Sequence, residues 1–315
     1  MIELDKIYNE DCLEGMKRIE DNSIDCCVTS PPYFALRDYG CEGQIGLEHS
    51  PEEYIDKLTA IFAEVLRAMK PEGTCWVVIG DSYNCYRGAR TRTHYDNKWA
   101  GESGHPARPS GYGLDCKDMK DKDLIGIPWM LAFSLRRIGF YLRQDIIWHK
   151  PNPMPESVTS RCTKSHEYIF MLTKSPRYYF DKQALREPAN TGVRKNEYNH
   201  RKVKFVVPGH RQEQFRGGNQ SDGFRNKRDV WSMLVRPGYK GHHATFPLEI
   251  PLQCIALGCP EGGTVLDPFM GSGTTAVAAI KEHRHFVGFE LNGDYFGNAQ
   301  QRIAEELRNP TLLFE

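Results

Sequence analysis

Two short stretches hold residues whose order has a chemical meaning. The first, VTSPPYFALRDYG at residues 28–40, follows directly on the apolar run IDCCV. A proline cannot donate to a strand ladder, so Pro31 and Pro32 read as a stiff strand exit whose carbonyls are held without a competing N–H. The Ser30 hydroxyl is a second kind of acceptor, and the Tyr33 ring offers a flat apolar face. This corner suits an NH2 group on a heteroaromatic base, a poor nucleophile because its lone pair is delocalised into the ring. Acceptors that hold its two hydrogens let the nitrogen rehybridise and attack a methyl group. Tyr33 would stack on a base drawn out of a duplex, since such chemistry cannot reach its target inside the stack. Catalysis there is positioning plus electrostatics, with no covalent intermediate.

The second stretch is DPFMGSGTTA at residues 267–276. Gly271, Gly273 and Ala276 satisfy G-x-G-x-x-G/A between the strand-like TVLD and a helical pattern. Glycines there permit a tight turn and close backbone approach to a ligand, and Glu290 ends the next strand where it can accept from two ribose hydroxyls. A Gly-rich turn that only lets strand and helix pack is the competing reading. A dinucleotide, implying hydride transfer, is the runner-up ligand. Asp267 argues against it, because an anion opposes a pyrophosphate and suits the amine and sulfonium of S-adenosylmethionine.

Elements able to position these corners are legible around them. SIDCCVTS reads as a buried strand and SPEEYIDKLTAIFAEVLRAMKPEG as a helix with a capping-box start, stopped by KPEG. TCWVVIGDSY, FYLRQDIIWHK and EYIFMLTKS read as strands, with a helix around Pro128–Arg137. A helix then precedes TVLD, TTAVAAIKEH follows the glycines, FVGFE is a strand, and a last helix runs to about Leu307. Alternation of apolar strands with helices predicts an α/β fold with a largely parallel sheet. His166 and Glu167 in SHEYIF read as a hydrogen-bonded structural pair, Trp148 as core, and Asp81 and Tyr83 as strand-end residues on the edge shared with Ser30.

Lys plus Arg and Asp plus Glu are equal at 41 each, so net charge names no partner. Its distribution is uneven: residues 182–240 hold fourteen basic against five acidic residues, a basic module on an acidic body. Residues 83–118 are polar, Gly-rich and basic, read either as disordered or as a loop that orders on a ligand. The ten cysteines form no C-x-x-C pair, and no metal site is expected. The start MIELDKIYNED is too polar for a signal peptide, and no apolar run reaches membrane-spanning length. The expectation is a protein of a reducing cytoplasm, without a membrane partner.

VTSPPY and DPFMGSGTT, in that order, resemble the amino-group DNA methyltransferases of the permuted β arrangement. DIIWHKPNPMPES, the basic stretch, HHATFP and FELN fall in the matching order, so the resemblance spans nearly the whole chain. It implies a circularly permuted Rossmann-like sheet with helices on both faces and a basic DNA-recognition insertion. The catalytic half would be 1–180, target recognition 181–240 and the cofactor half 241–315. Ser30, Pro31, Pro32 and Tyr33 would form the catalytic corner. S-adenosylmethionine would be held by Asp267, Pro268, Phe269, Gly271, Gly273, Thr274 and Thr275, with Glu290 and Asn292 of FELN and with His243 and Phe246 of HHATFP. NEDCLEGM adds Asp11 and Cys12 near the adenine, for which a helix cap and a core thiol are the competing readings.

Ser at the first catalytic position favours cytosine N4, with adenine N6 the alternative. Cytosine C5 is disfavoured, because no Pro-Cys dipeptide occurs. The implied partner is double-stranded DNA in a bacterial or phage-encoded, nucleoid-associated protein. A cognate restriction endonuclease, and monomer against homodimer, are left open. A DNA-binding protein with an idle corner is the alternative from another class.

Overall fold

Ser50 begins the long helix α2 (Pro51–Ala68) by accepting the Glu53 N–H at 3.2 Å, with Pro51 in the first turn. Glu53 reaches back to the His49 N–H at 3.1 Å. Tyr54, Leu58, Ile61, Phe62 and Val65 follow at helical spacing, and all are buried. The helix ends before KPEG. Met69 is already extended, and Lys70–Gly73 open strand β3 (Met69–Ile79), because the residue before a proline avoids helical geometry. These elements belong to a computed structural model that describes residues 2–36, 38–84, 119–120, 122–189, 223–235 and 246–308. From residue 85 on, the polar 83–118 stretch lies outside the described residues, as does His243.

Ahead of α2 come β1 (Lys6–Tyr8), α1 (Cys12–Met16) and β2 (Ile24–Thr29). After β3 come α3 (Ile127–Arg137), β4 (Tyr141–His149), β5 (His166–Thr173), β6 (Glu187–Pro188), β7 (Phe224–Arg225) and β8 (Val230–Ser232). The chain continues through α4 (Glu249–Gly258), β9 (Thr264–Asp267), α5 (Thr274–Lys281), β10 (His285–Phe289) and α6 (Gly293–Arg308). Among the described residues one sheet runs β1-β10-β9-β2-β3-β5-β4-β8. It is mostly parallel; only β5 runs against its neighbours β3 and β4.

The sheet is covered on both faces, which is why its strands are apolar throughout. Cys27, Cys75 and Leu266 join a core cluster with α2 and α3, whereas Cys26 points the other way, toward Cys254 and Cys259.

Topology places the two chemical corners together. The crossover from β9 through α5 leads to β10, and that from β2 through α2 leads to β3, on opposite sides. The direction of winding reverses between β9 and β2, which pair in parallel at Cys26 with Val265 and Cys27 with Leu266. Ligands of open α/β sheets bind at such a switch point, beyond the carboxyl ends of the strands.

Residues Met1–Asp181 and Asp229–Glu315 make one compact unit, and Lys182–Arg228 a second. In the second, β6 and β7 pair antiparallel and Glu187 accepts from Arg228 Nε at 2.9 Å. The chain rejoins the first unit at Asp229, earlier than residue 240, because buried Trp231 lies on β8 paired with β4. Among the described residues no helix is long and apolar enough to cross a membrane.

Candidate active site

The corner after β2 is held from beneath by α2 and from the side by β5. Tyr54 is fully buried, and its hydroxyl donates to the Pro32 carbonyl at 2.7 Å. The sequence reading left both proline carbonyls open to a ligand; the one at Pro32 already has an internal donor. No described residue donates to the Pro31 carbonyl. Tyr33 is turned inward. Its hydroxyl donates to Glu167 Oε2 at 2.7 Å, and its ring edge rests where a Cβ on Gly80 would lie 2.8 Å away. Only a glycine at position 80 leaves room for that ring.

Glu167 also accepts Lys150 Nζ, whose ammonium lies 4.3 Å from the centre of the Trp148 ring. Burial, together with the Glu167 charge, pushes the Tyr33 phenol well above its usual range, so it stays protonated and acts as a donor. Ser30 acts on the same phenol in the opposite sense, pulling it down. The phenol proton goes to Glu167, so the Tyr33 oxygen is left as an acceptor on the Ser30 side.

β9 ends one strand away. Asp267 is 1% exposed; its Oδ1 accepts from Thr29 Oγ1 at 2.6 Å and from the Phe269 N–H at 3.0 Å. Its Oδ2 accepts from Thr275 Oγ1 at 2.6 Å. Burial raises this carboxyl to about 6, against the pull of those donors. Asp267 thus clamps β2, the turn and α5 together and does not face a ligand, which corrects its expected role opposite a cation.

The turn passes through left-handed geometry at Gly271 (φ 56°) and Gly273 (φ 79°). A Cβ on Gly273 would approach Ala299 of α6 at 3.2 Å, so that glycine lets the turn pack against α6. Thr274 is likewise internal, accepting from Arg302 Nη1 at 2.8 Å.

Between the corners lies a cleft of about 730 Å³, part of it open to solvent. Ser30 and Pro32 form one wall; Pro268, Phe269 and Gly271 form another. Asp11, Cys12, Glu290 and Asn292 complete what the sequence anticipated. Asp11 also caps α1 through the Leu13 and Glu14 N–H groups, and burial pushes the Cys12 thiol up. Glu290 accepts the Gly271 N–H and the Asn292 N–H, each at 2.8 Å, one per carboxyl oxygen, leaving lone pairs on both. Burial raises its pKa.

A family model described as DNA methylase matches residues 24–301. The Type II methyltransferase M.Cfr9I of Citrobacter freundii is 42% identical over 304 residues, covering 96% of this chain and 89% of that protein. M.SmaI of Serratia marcescens, also a Type II methyltransferase, is 41% identical over 298 residues, covering 95% and 90%. The chain belongs to the DNA methylase family.

Solved structures agree on the fold. A proposed DNA modification methylase from Thermus thermophilus, complexed with S-adenosyl-L-methionine, aligns with TM-score 0.61 at 23% identity over 96% of this chain and 95% of that one. The cytosine-N4-specific PvuII DNA methyltransferase aligns with TM-score 0.63 at 17% identity, over 94% and 85%. As a member of this family the chain is an enzyme that uses S-adenosylmethionine. Its cleft fits that cofactor: the carboxylates of Glu10, Asp11 and Glu290 line it and no described Lys or Arg does, which suits a cation and opposes a pyrophosphate.

In this DNA methylase the expected residues divide. Ser30, Pro32, Asp11, Cys12, Pro268, Phe269, Gly271, Glu290 and Asn292 meet at the cleft, whereas Asp267, Gly273, Thr274, Thr275, Pro31 and Tyr33 stand behind it. Phe246, just ahead of α4, is not among the residues that line it. Sequence reasoning missed Tyr39, Cys41, Gln44 and Ile45, which cover the cleft, and Tyr295, which packs edge-on to Tyr39. Glycines at 40, 43 and 46, all with positive φ, were the available signal. It also gave Glu167 only a structural part; the pairing to Tyr33 spans 134 residues.

Proposed function

We propose that this enzyme transfers the methyl group directly to the exocyclic amine of a base turned out of duplex DNA, and that the base is cytosine, modified at N4. The observation that supports this most strongly is the shared cleft whose walls are Ser30 and Pro32 on one side and Phe269, Gly271 and Glu290 on the other. S-adenosylmethionine held there supplies an electrophilic methyl group on a sulfonium. Glu290 accepts from the ribose hydroxyls, and Phe269 and Ile45 give apolar surface to the adenine. The Ser30 oxygen accepts one amine hydrogen, and the Pro32 carbonyl, which keeps a lone pair beside the one given to Tyr54, accepts the other. Withdrawing both hydrogens raises electron density on nitrogen where it must bond.

Ser30 at the head of the corner favours cytosine over adenine. Lys182–Arg228 and the basic residues around it make the target-recognition region, bound to phosphates through Arg and Lys. Mass spectrometry of nucleosides from DNA incubated with the enzyme and labelled S-adenosylmethionine tests the reading. Labelled N4-methylcytosine is expected. Labelled N6-methyladenine would overturn the base assignment, and absence of any labelled nucleoside would overturn the reaction.

A further inference from the structure

The β4–β5 connection, residues 150–165, stands beside the catalytic corner. β5 runs antiparallel to β3, and β4 to β5, so this connection emerges at the edge where β2 delivers Ser30. Its root is tied to that corner, since Lys150 pairs with the Glu167 that holds Tyr33, and the Lys150 N–H donates to the Ser165 carbonyl at 2.8 Å. Asn152 is bonded twice to the Val235 backbone, at 3.0 and 2.9 Å. Glu156 accepts from Arg161 at 2.6 Å, and Lys164 Nζ donates to the Asp81 carbonyl at 2.6 Å. Pro151, Pro153 and Pro155 restrict the crest between these ties.

On that crest Met154 is 85% exposed, more than any other large apolar side chain described. Leu234, next to the Val235 that anchors Asn152, is 52% exposed. From Lys150 to Met154 the chain spans at most about 14 Å, roughly four base steps of a duplex. An apolar side chain on a stiff, anchored loop loses little freedom on insertion, and methionine is among the wedges proteins place between base steps.

We propose that Met154 enters the duplex and fills the space left by the flipped base, stabilising the open state. The proposal rests on the flipped-base reading above and adds the residue that keeps the stack from closing.

The test uses the full-length enzyme with Met154→Ala and Met154→Leu, assayed on a matched duplex and on one whose target base is mispaired. A mispaired base costs less to turn out, so the wedge matters less there. Met154→Ala is expected to slow methylation of the matched duplex about tenfold and the mispaired one less than about twofold. Met154→Leu should stay near wild type, and the KM for S-adenosylmethionine should not change. Equal losses on both duplexes, or no loss on the matched one, would overturn the wedge. A changed oligomeric state with an unchanged duplex preference would place a second copy on Met154 and overturn it too. Should the wild-type enzyme methylate neither duplex, the flipped-base reading itself fails and the wedge falls with it.

Discussion

At the scale of single residues the site is organised by the direction of protons. Lys150 and Tyr33 both donate to Glu167, which leaves the phenol oxygen as an acceptor on the Ser30 side. Tyr33→Phe keeps the ring against Gly80 but removes that acceptor. The Ser30 proton is then free to rotate toward the amine. We expect kcat to fall about tenfold or more, equivalent to one hydrogen bond of about 1.4 kcal/mol, with the affinity for S-adenosylmethionine unchanged. Single-turnover kinetics and isothermal titration of the cofactor check this together. Unaltered kcat would mean that the hydroxyl has no part in presenting Ser30.

Between elements, the buried Asp267 is the joint. It receives Thr29 from β2 and Thr275 from α5, at 2.6 Å each, and so sets the spacing of the two corners. Its carboxyl titrates near 6 in the folded protein against an ordinary 3.8. The native state therefore holds a proton that the unfolded chain releases between those values. This contribution to stability is complete below about pH 4 and is lost as pH rises through about 6. Asp267→Asn lacks it. Denaturant titrations should show the stability of wild type relative to Asp267→Asn falling by up to about 3 kcal/mol from pH 4 to 7. A pH-independent difference would mean that the carboxyl is not buried as described.

Much at this scale was legible beforehand. Pro31 and Pro32 mark a strand exit and Gly271 a turn through backbone constraints, which act locally and do not depend on tertiary context. The duty of Gly273 was not legible, since its neighbour Ala299 arrives from α6. Nor was that of Asp267, because an acid before a glycine loop reads the same whether it faces ligand or core. Glu167 escaped for the same reason, as its partners come from β2 and the end of β4.

In the whole molecule a basic segment is inserted in sequence between the two corners of the sheet. With fourteen basic against five acidic residues at 182–240, that segment should account for most of the phosphate neutralisation. Replacing both Lys202 and Lys204 by Ala is expected to weaken duplex binding and to reduce the slope of log affinity against log salt by about 1 to 2, leaving cofactor affinity intact. Fluorescence anisotropy across a salt series reads both quantities. An unchanged slope would remove those lysines from the interface.

The permuted order matters at this scale as well. Catalytic corner and cofactor turn lie more than two hundred residues apart in sequence, yet the parallel pairing of β2 with β9 makes them neighbours. Only one displacement fits a donor and an acceptor sharing one cleft. That is tested most directly with S-adenosylmethionine whose methyl group is chiral by isotopic labelling. A single in-line transfer to the base amine inverts the methyl configuration, and inversion is the expected result. Net retention, the mark of two successive transfers through a residue of the enzyme, would contradict this account.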